Sequence, residues 1–348
     1  MLSGTIMPCA VTTIVANGRR RLLEEADNAS TAFNWGATTL ANALLQAHDQ
    51  LHDENYLSVL KCWAQRSITV GGTPQDPGGS LWKMGAGSIF AALAHCESGS
   101  NAAWNLHLRC WLDHLDEIPR LRNGTWSSKW DAQQIWVDSL MTLCPTLLAA
   151  AECLNRPHYL QQAVDTCLLS AAVLQDKQTG LWWHAWDQDT QKTLGTWWCR
   201  GNAWALMAMV QVAAVAPVHL RGVAELRHRL QHLVAGLLLF QRGDGSWGTV
   251  LDDAEATMET SGQALIAAWL ERYRQTGLVA DTDRIASAAV RGWQAVLPHL
   301  DAHGTLSGVS LGTGVGSAAV YRSIPTTAWP LWGSAAAVHG ALAFADPQ

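Results

Sequence analysis

An aspartate stands within an otherwise apolar segment, QIWVDSLM, where Asp138 follows Trp136 and Val137. Aspartate is common at the first turn of a helix, where it caps free amide groups. The pattern predicts a helix from about Gln134, which would put Asp138 one turn inside it, among apolar neighbours. A carboxyl group in such surroundings is suited to general acid/base chemistry. The segment alone leaves both interpretations open, cap and acid/base.

Two tryptophan-rich segments carry the other candidates. In GLWWHAWD, His184 lies inside an aromatic run, and an isolated histidine is more often structural than functional. In WWCRGNAWALM, Arg200 follows Trp198 at the predicted start of a helix, where a cation opposes the helix dipole. Its forked guanidinium suits a bidentate carboxylate contact, and pairing with a nearby Asp or Glu is the alternative. Further candidates for ligand contacts are Trp35, Lys129, Trp136, Trp198, Asn202 and Trp204.

Two later segments favour structural roles. In METSGQAL, Glu259 and Thr260 are typical of the cap that begins a helix. The glycines of GVSLGTGVG, residues 308–316, resemble a nucleotide loop, but no strand signal precedes them and no Lys-Ser/Thr follows. We therefore expect no phosphate site there.

Composition narrows the class of protein. The chain has 348 residues, of which 49% are hydrophobic and 15% charged, so it can bury a substantial core. Its net charge of -6 argues against nucleic-acid or anionic-membrane partners, and no apolar run is long enough to span a bilayer. The 19 Trp against 4 Tyr and 4 Phe indicate flat surfaces suited to stacking on sugar rings.

Cysteine use and the first residues bear on localisation. The 8 Cys form no CxxC pair and no zinc-type cluster, which favours reduced, buried thiols. The basic residues near the amino end follow the apolar stretch, the reverse of a secretory signal. A cytoplasmic enzyme is the expectation.

A repeated pattern predicts the architecture. Each repeat has an irregular loop, then a Gly or Ser, then a helix with small residues on one face, at intervals of roughly 50 to 70 residues. The six segments begin near Gly36, Gly85, Val137, Gly201, Ser261 and Gly333. More polar helices are expected around residues 54–64, 102–115, 159–174, 220–239 and 281–297. Alternation of the two kinds predicts an all-α fold, an (α/α)6 barrel, with an open helical solenoid as the alternative.

This arrangement also predicts the domain organisation and the place of the loops. Residues 1–30 are expected to form an N-terminal extension with the first outer helix, and residues 31–348 a single catalytic domain. The irregular stretches precede inner helices, so they should gather at one rim. Helix N-termini there would favour an anionic ligand.

The order K-x4-QIWVD, GLWWHAWD, WWCRGNAWALM, DGSW, ETSGQAL and GVSLGTGVG resembles the unsaturated glucuronyl and rhamnogalacturonyl hydrolases of glycoside hydrolase families 105 and 88. It looks closer to family 105, from about Trp35 onwards. The resemblance implies an (α/α)6 toroid that needs no metal or other cofactor. It also implies removal of a Δ4,5-unsaturated uronic acid from the non-reducing end of a lyase product. Asp138 matches the acid/base, His184 a substrate-binding histidine, and Arg200 with Trp204 the contacts to the sugar carboxylate and ring.

The chain departs from the family pattern at several places. Ser128 stands where relatives commonly have histidine, Lys83 and Met84 lie near the place of a substrate-binding aspartate, and residues 328–332 read AWPLW. These changes leave the acid/base in place and predict a less polar subsite.

Other functions remain open from sequence. An inverting glycosidase would need a second carboxylate beside Asp138, such as Asp187 or Glu259, and a sugar epimerase would need two basic histidines. A glycan-binding protein without catalysis is the remaining alternative. A monomer or homodimer is expected, with a small saccharide as the partner.

Overall fold

The computed structural model describes residues 8–27, 34–68, 81–96, 101–128 and 132–345. In chain order the α-helices of these ranges are α1 (Pro8–Asp27), α2 (Trp35–Leu51), α3 (Glu54–Arg66), α4 (Gly87–Cys96), α5 (Asn101–Glu117), α6 (Ser139–Cys153), α7 (His158–Leu174), α8 (Cys199–Val215), α9 (Val223–Leu239), α10 (Thr260–Gln275), α11 (Thr282–Val296), α12 (Ala318–Ser323) and α13 (Leu331–Ala343). Two 3-10 helices cover Leu81–Ala86 and Leu297–His299. The Lys83 side chain lies outside the description, as does the whole of Lys129.

The long helices form two concentric rings. The inner ring runs α2, α4, α6, α8, α10 and α13, each packed on the next, and α13 packs on α2 to close it. The remaining long helices form the outer ring, in which α1 packs against α13, α2 and α3. The predicted (α/α)6 barrel is confirmed.

Small residues allow the inner helices to approach closely. A Cβ atom on Gly262 of α10 would lie 2.8 Å from the backbone nitrogen of Arg200 on α8. This spacing leaves no room for a side chain, because interior packing is already dense. The glycine of ETSGQAL therefore sets the distance between two helices that carry site residues.

Short strands connect the repeats at one end of the barrel. Strand β1 (Gln134–Trp136) pairs antiparallel with β2 (Ala185–Asp187), and β2 with β3 (Lys192–Leu194). A second pair joins β4 (Val309–Ser310) to β5 (Thr326–Thr327). The predicted helix start near Gln134 is wrong, because these residues pair with β2 and the helix begins at Ser139.

Helix α10 begins as the sequence predicts. Glu259 is its N-cap, and its carboxylate accepts hydrogen bonds from the amides of Ser261 and Gly262. A side-chain acceptor satisfies amides that have no partner within the helix. The cap therefore fixes a carboxylate at the end of the barrel that carries the strands.

Candidate active site

A cavity of about 250 Å³ opens at the end of the barrel where the inner helices begin. The described residues that line it are Trp35, Trp136, Asp138, Met141, Trp198, Arg200, Gly312, Thr313 and Gly314. Most come from the first turns of α2, α6 and α8, or from the residues just before them, and the glycines come from the GTGVG loop. Its volume is below the roughly 300–1,000 Å³ typical of drug-sized ligand sites, which fits one sugar ring better than an oligosaccharide.

Asp138 immediately precedes α6 but does not cap it. Its backbone is helical, with φ -56° and ψ -31°, and its side chain accepts no capping hydrogen bond. A residue that caps through its side chain normally has an extended backbone. The Asp138 side chain is 17% exposed, and its Oδ2 atom lies 3.2 Å from Nε2 of His184. The carboxyl group is therefore directed to the cavity rather than to its own helix.

His184 lies behind Asp138 and is fully buried. Pairing of β1 with β2 brings the two segments together, since the amide of Val137 donates to the carbonyl of His184 at 3.0 Å. The imidazole meets Trp136 edge-on at 4.9 Å between ring centroids and lies 4.5 Å from the ring of Trp198. His184 therefore does not line the cavity, and its contact with the site is through the Asp138 side chain.

Tyr321 on α12 is a site residue that sequence reasoning missed. Its hydroxyl lies 2.6 Å from Nδ1 of His184, and the residue is 2% exposed. Burial raises the pKa of this phenol, so its hydroxyl stays protonated. The only signal was its place in the stretch after GTGVG, because the contact joins residues 137 positions apart.

Gly195 makes room for that tyrosine. It has φ +82°, and a Cβ atom there would lie 2.5 Å from the Tyr321 hydroxyl. Glycine is the residue that adopts this backbone without strain. The absence of a side chain at Gly195, in the turn after β3, therefore leaves the space that the Tyr321 hydroxyl occupies.

Arg200 is fully buried and forms the ion pair that the sequence left as the alternative. Its Nη1 lies 3.4 Å from Oε1 of Glu259 and donates to Oγ of Ser310 at 2.7 Å. Its Nη2 donates to Oγ1 of Thr313 at 3.0 Å. Burial lowers the pKa of the guanidinium, which the charge of Glu259 partly offsets. Arg200 therefore holds the GTGVG loop and presents positive charge to the cavity.

Tryptophans form the walls. Trp35 stacks on Trp332, with ring centroids 4.2 Å apart and planes 26° from parallel. The indole nitrogen of Trp332 donates to the carbonyl of Ser310 at 3.1 Å, and the Arg200 guanidinium lies 4.6 Å from the Trp198 ring. The AWPLW departure therefore contributes an aromatic support for Trp35.

Of the predicted contacts, His184, Asn202 and Trp204 do not line the cavity, and the first of them lies behind Asp138 as described above. Asn202 is buried, and its side chain accepts from the amide of Trp182 at 2.7 Å and donates to the carbonyl of Trp182 at 2.9 Å. Trp204 is fully buried among the core side chains. Both positions are explained by packing, because each residue lies further along α8 than the part that faces the cavity.

Ser128, one of the departures noted in the sequence, is also buried. Its Oγ accepts hydrogen bonds from the amide of Trp136 at 2.7 Å and from Oγ of Ser139 at 2.6 Å. The hydroxyl therefore joins β1 to the start of α6 and does not line the cavity.

The two carboxylates that the sequence offered as partners for Asp138, those of Asp187 and Glu259, bind other groups. Asp187 accepts hydrogen bonds from the Thr190 amide and the Gln134 side chain at 2.9 and 3.0 Å. Glu259 is 2% exposed and holds Arg200 and the start of α10. Of the described residues that line the cavity, Asp138 is the one carboxylate.

A larger cavity of about 790 Å³ opens at the opposite end of the barrel. Its lining includes Glu152, Gln211 and Arg272, which lie toward the ends of inner helices, and none of the predicted site residues. Size alone therefore does not identify the site.

The profile of the family described as Glycosyl Hydrolase Family 88 matches residues 11–344. The chain belongs to this family. A relative in Bacillus subtilis, unsaturated rhamnogalacturonyl hydrolase YesR, is 24% identical over 326 residues, 91% of each chain. The family assignment makes the chain a glycoside hydrolase and confirms the resemblance found in its motifs.

Solved structures agree with the fold of this family. A possible GH105 family member from Klebsiella pneumoniae has a TM-score of 0.86 at 23% identity, covering 97% of this chain and 93% of that one. The unsaturated glucuronyl hydrolase of Bacillus sp. GL1 has a TM-score of 0.69 at 15% identity, covering 96% and 95%. Among the described helices, none is both long and apolar enough to cross a membrane.

Proposed function

We propose that this family member removes a Δ4,5-unsaturated uronic acid from the non-reducing end of lyase-generated oligosaccharides. The observation that carries the proposal is Asp138, the one carboxyl group among the described residues that line a tryptophan-walled cavity, which fits one sugar ring. The names of the relatives, unsaturated rhamnogalacturonyl and glucuronyl hydrolases, support the same substrate class.

Asp138 is proposed as both general acid and general base. Its protonated carboxyl group delivers H⁺ to C4 of the enol ether, and the resulting carboxylate takes a proton from the water that attacks C5. The hemiketal so formed opens to a ketone at C5, and the remaining hemiacetal at C1 expels the rest of the chain as an alcohol. One carboxyl group serves both proton transfers, whereas ordinary glycosidases use two.

The uronate carboxylate is proposed to lie on the side of the cavity formed by Arg200 and Thr313. Arg200 supplies buried positive charge, which interacts strongly because little water separates it from a bound anion. The sugar ring is proposed to pack on Trp35 and Trp136, which offer flat apolar faces.

Three other functions receive less support. An inverting glycosidase needs a second carboxyl group beside the bond, and Asp187 and Glu259 do not line the cavity. An epimerase needs two bases, and the described lining holds no histidine. A glycan-binding protein would make no use of a carboxyl group supported by His184.

The test is loss of the enol-ether absorbance of unsaturated disaccharides prepared with a polysaccharide lyase. Turnover should consume the chromophore and release a saturated sugar together with a 5-keto acid. Saturated disaccharides of the same sugars are the matched controls. Hydrolysis of the saturated set alone would support the inverting glycosidase, and binding without turnover would support the glycan-binding protein.

We also propose a cytoplasmic location. All 8 cysteines are free, and the buried sulfurs of Cys144 and Cys167 lie 3.7 Å apart without a bond. Reduced thiols of this kind are typical of a reducing compartment. Fractionation of the producing cells, followed by detection of the protein in each fraction, tests the location.

A further inference from the structure

Gln134 and Trp136 lie on the same face of strand β1. Residues two apart on a strand point to one side of the sheet, and the buried Ile135 between them points to the other. The indole Nε1 of Trp136 donates to Oε1 of Gln134 at 2.9 Å. Trp136 lines the cavity of the candidate site, whereas Gln134 does not. The hydrogen-bond donor of this cavity tryptophan is therefore bound by a residue outside the cavity.

Asp187, on the neighbouring strand, binds the other end of the Gln134 amide. The register of β1 and β2 places Asp187 directly opposite Gln134. Side chains that are directly opposed on paired strands are close enough to interact. Nε2 of Gln134 donates to Oδ2 of Asp187 at 3.0 Å. The three side chains are thus linked in the order Trp136, Gln134, Asp187.

Asp187 is itself fixed by the turn that joins β2 to β3. Its Oδ1 accepts hydrogen bonds from the amide and the hydroxyl of Thr190, both at 2.9 Å. Hydrogen bonds from the Thr190 amide, and then from Gln134, lower the pKa of the Asp187 carboxyl group. The group is therefore ionised at neutral pH and acts only as an acceptor.

These two partners determine the orientation of the Gln134 amide. An indole N–H can only donate, and an ionised carboxylate can only accept. The amide satisfies both when Oε1 faces the indole and Nε2 faces the carboxylate. Rotation of the amide by half a turn would set donor against donor and acceptor against acceptor. Gln134 therefore relates the position of Trp136 to that of Asp187.

We propose that Gln134 and Asp187 are positioning residues, which hold the Trp136 indole by its N–H so that the sugar meets the apolar ring of Trp136 and not its hydrogen-bond donor. The role in binding rests on the proposed function, in which the sugar ring packs on Trp136. The hold on the indole depends only on the hydrogen bonds of the three side chains. An indole fixed before the substrate arrives loses little freedom when the substrate binds.

The hold on the indole can be measured without any substrate. In protein labelled with ¹⁵N-tryptophan, solvent exchange of each indole proton is followed by NMR. The signal of Trp136 is the one that disappears in Trp136→Phe, and Trp329, which is 80% exposed, is assigned in the same way and gives the rate for an exposed indole. We expect the Trp136 proton to exchange much more slowly than the Trp329 proton, because its hydrogen bond must open first. Equal rates would overturn the proposal.

Two substitutions release the indole in different ways. Gln134→Met removes both hydrogen bonds and keeps a side chain of similar length. Asp187→Asn leaves one acceptor oxygen where the carboxylate has two, so either Gln134 or Thr190 loses its acceptor. Both should speed exchange of the Trp136 proton, Asp187→Asn to a smaller degree, although Asp187 does not contact Trp136 through any of these bonds.

The kinetic effect of Gln134→Met should appear in KM. We expect KM for the unsaturated disaccharide to rise on the order of fivefold, because a loose indole must be ordered on binding, with kcat within about twofold. Gln161→Met on α7 is the matched control, since it removes a hydrogen bond from a glutamine Nε2 to an aspartate, Asp165, at 2.8 Å. It should change neither KM nor the exchange of the Trp136 proton.

The outcomes separate this proposal from the proposed function. Unchanged exchange of the Trp136 proton in Gln134→Met, or an unchanged KM, would overturn the positioning role. If no unsaturated disaccharide is turned over, the proposed function fails, and the exchange rates still decide whether Gln134 holds the indole. If Gln134→Met does not fold, the wild type and Asp187→Asn carry the decision.

Discussion

Arg200 and Glu259 form an ion pair in the interior, with 3.4 Å between Nη1 and Oε1, and neither side chain has more than 2% of its surface exposed. Each member has a second task, since Glu259 caps α10 and Arg200 holds the loop that carries Thr313. The pair therefore couples the helix ring to the wall of the candidate site.

Asp138→Asn should abolish turnover and leave the fold intact. The amide cannot deliver or accept the proton, and loss of a general acid/base group typically costs about 100-fold or more. Initial rates with unsaturated disaccharide, together with far-UV circular dichroism, measure the two effects. Retention of more than about a tenth of the wild-type rate would assign the acid/base elsewhere.

Glu259→Gln should destabilise the protein strongly. The substitution leaves the buried Arg200 charge without its partner, and breaking a buried pair in this way costs about 3–5 kcal/mol. Urea unfolding measures the change in free energy. Glu225→Gln, which breaks a surface pair with Arg229 on α9, is the matched control and should cost at most about 0.5 kcal/mol. Equal effects of the two substitutions would contradict the structural role.

Arg200→Lys should affect both stability and substrate affinity. Lysine keeps the charge but loses the fork that reaches Ser310 and Thr313, so KM for the uronide should rise by the equivalent of about 1–3 kcal/mol. Arg221→Lys, at the exposed pair with Asp165, serves as the control. An unchanged KM would move carboxylate recognition to another part of the cavity.

Gly195→Ala should reduce both stability and kcat. The added Cβ would meet the Tyr321 hydroxyl at 2.5 Å, and a positive φ is costly for alanine. Gly277→Ala isolates the backbone effect, since Gly277 has φ +71° and open space around it. Loss of stability in both variants with loss of kcat only in Gly195→Ala is the expected result. Equal kcat values for Gly195→Ala and Gly277→Ala would show that the turn at Gly195 does not affect the candidate site.

His339 should make the fold sensitive to acid. Burial first, and then the charge of Arg272, lower the pKa of this imidazole from 6.5 to about 3. Between these two pKa values the unfolded chain binds a proton on His339 and the folded chain does not. The contribution of His339 to the free energy of unfolding is therefore fully present above pH 6.5 and falls as pH drops toward 3. The slope in this window reaches about 1.4 kcal/mol per pH unit.

His339→Gln should show a shallower fall than the wild type between pH 6.5 and the lower end of the accessible range, measured by urea unfolding at each pH. His303→Gln, on an exposed residue, is the control and should retain the wild-type slope. Parallel curves for the wild type and His339→Gln would remove His339 as the cause.

The barrel was predictable because its helices repeat small residues on one face, a pattern that survives in a single sequence. Asp138 and His184 could be singled out because each is a polar residue inside an apolar run, although the sequence left a structural role open for both. The helix assigned from Gln134 was wrong because β1 acquires its partner only from β2, about 50 residues later.

Other parts of the site depend on contacts that local sequence does not encode. Tyr321 belongs to a six-residue helix, and its partner His184 precedes it by 137 positions. Asn202 looked like a site residue because it follows Arg200, but the helical turn directs it to Trp182. The sequence pattern identified the segment that begins α8, but it could not identify which side of that helix faces the cavity.

Closure of the ring has a consequence for the order in which the chain folds. Helix α13 packs on α1 and α2, and the contacts include a hydrogen bond from Gln50 to the carbonyl of Leu342 at 2.8 Å, across 292 positions. Contacts between such distant segments form late, because the intervening chain must first be ordered. During synthesis, the apolar faces of α1 and α2 that α13 covers stay exposed to solvent until α13 has left the ribosome. We therefore expect a slow final step in refolding, in which the last helix inserts and Trp332 comes to stack on Trp35.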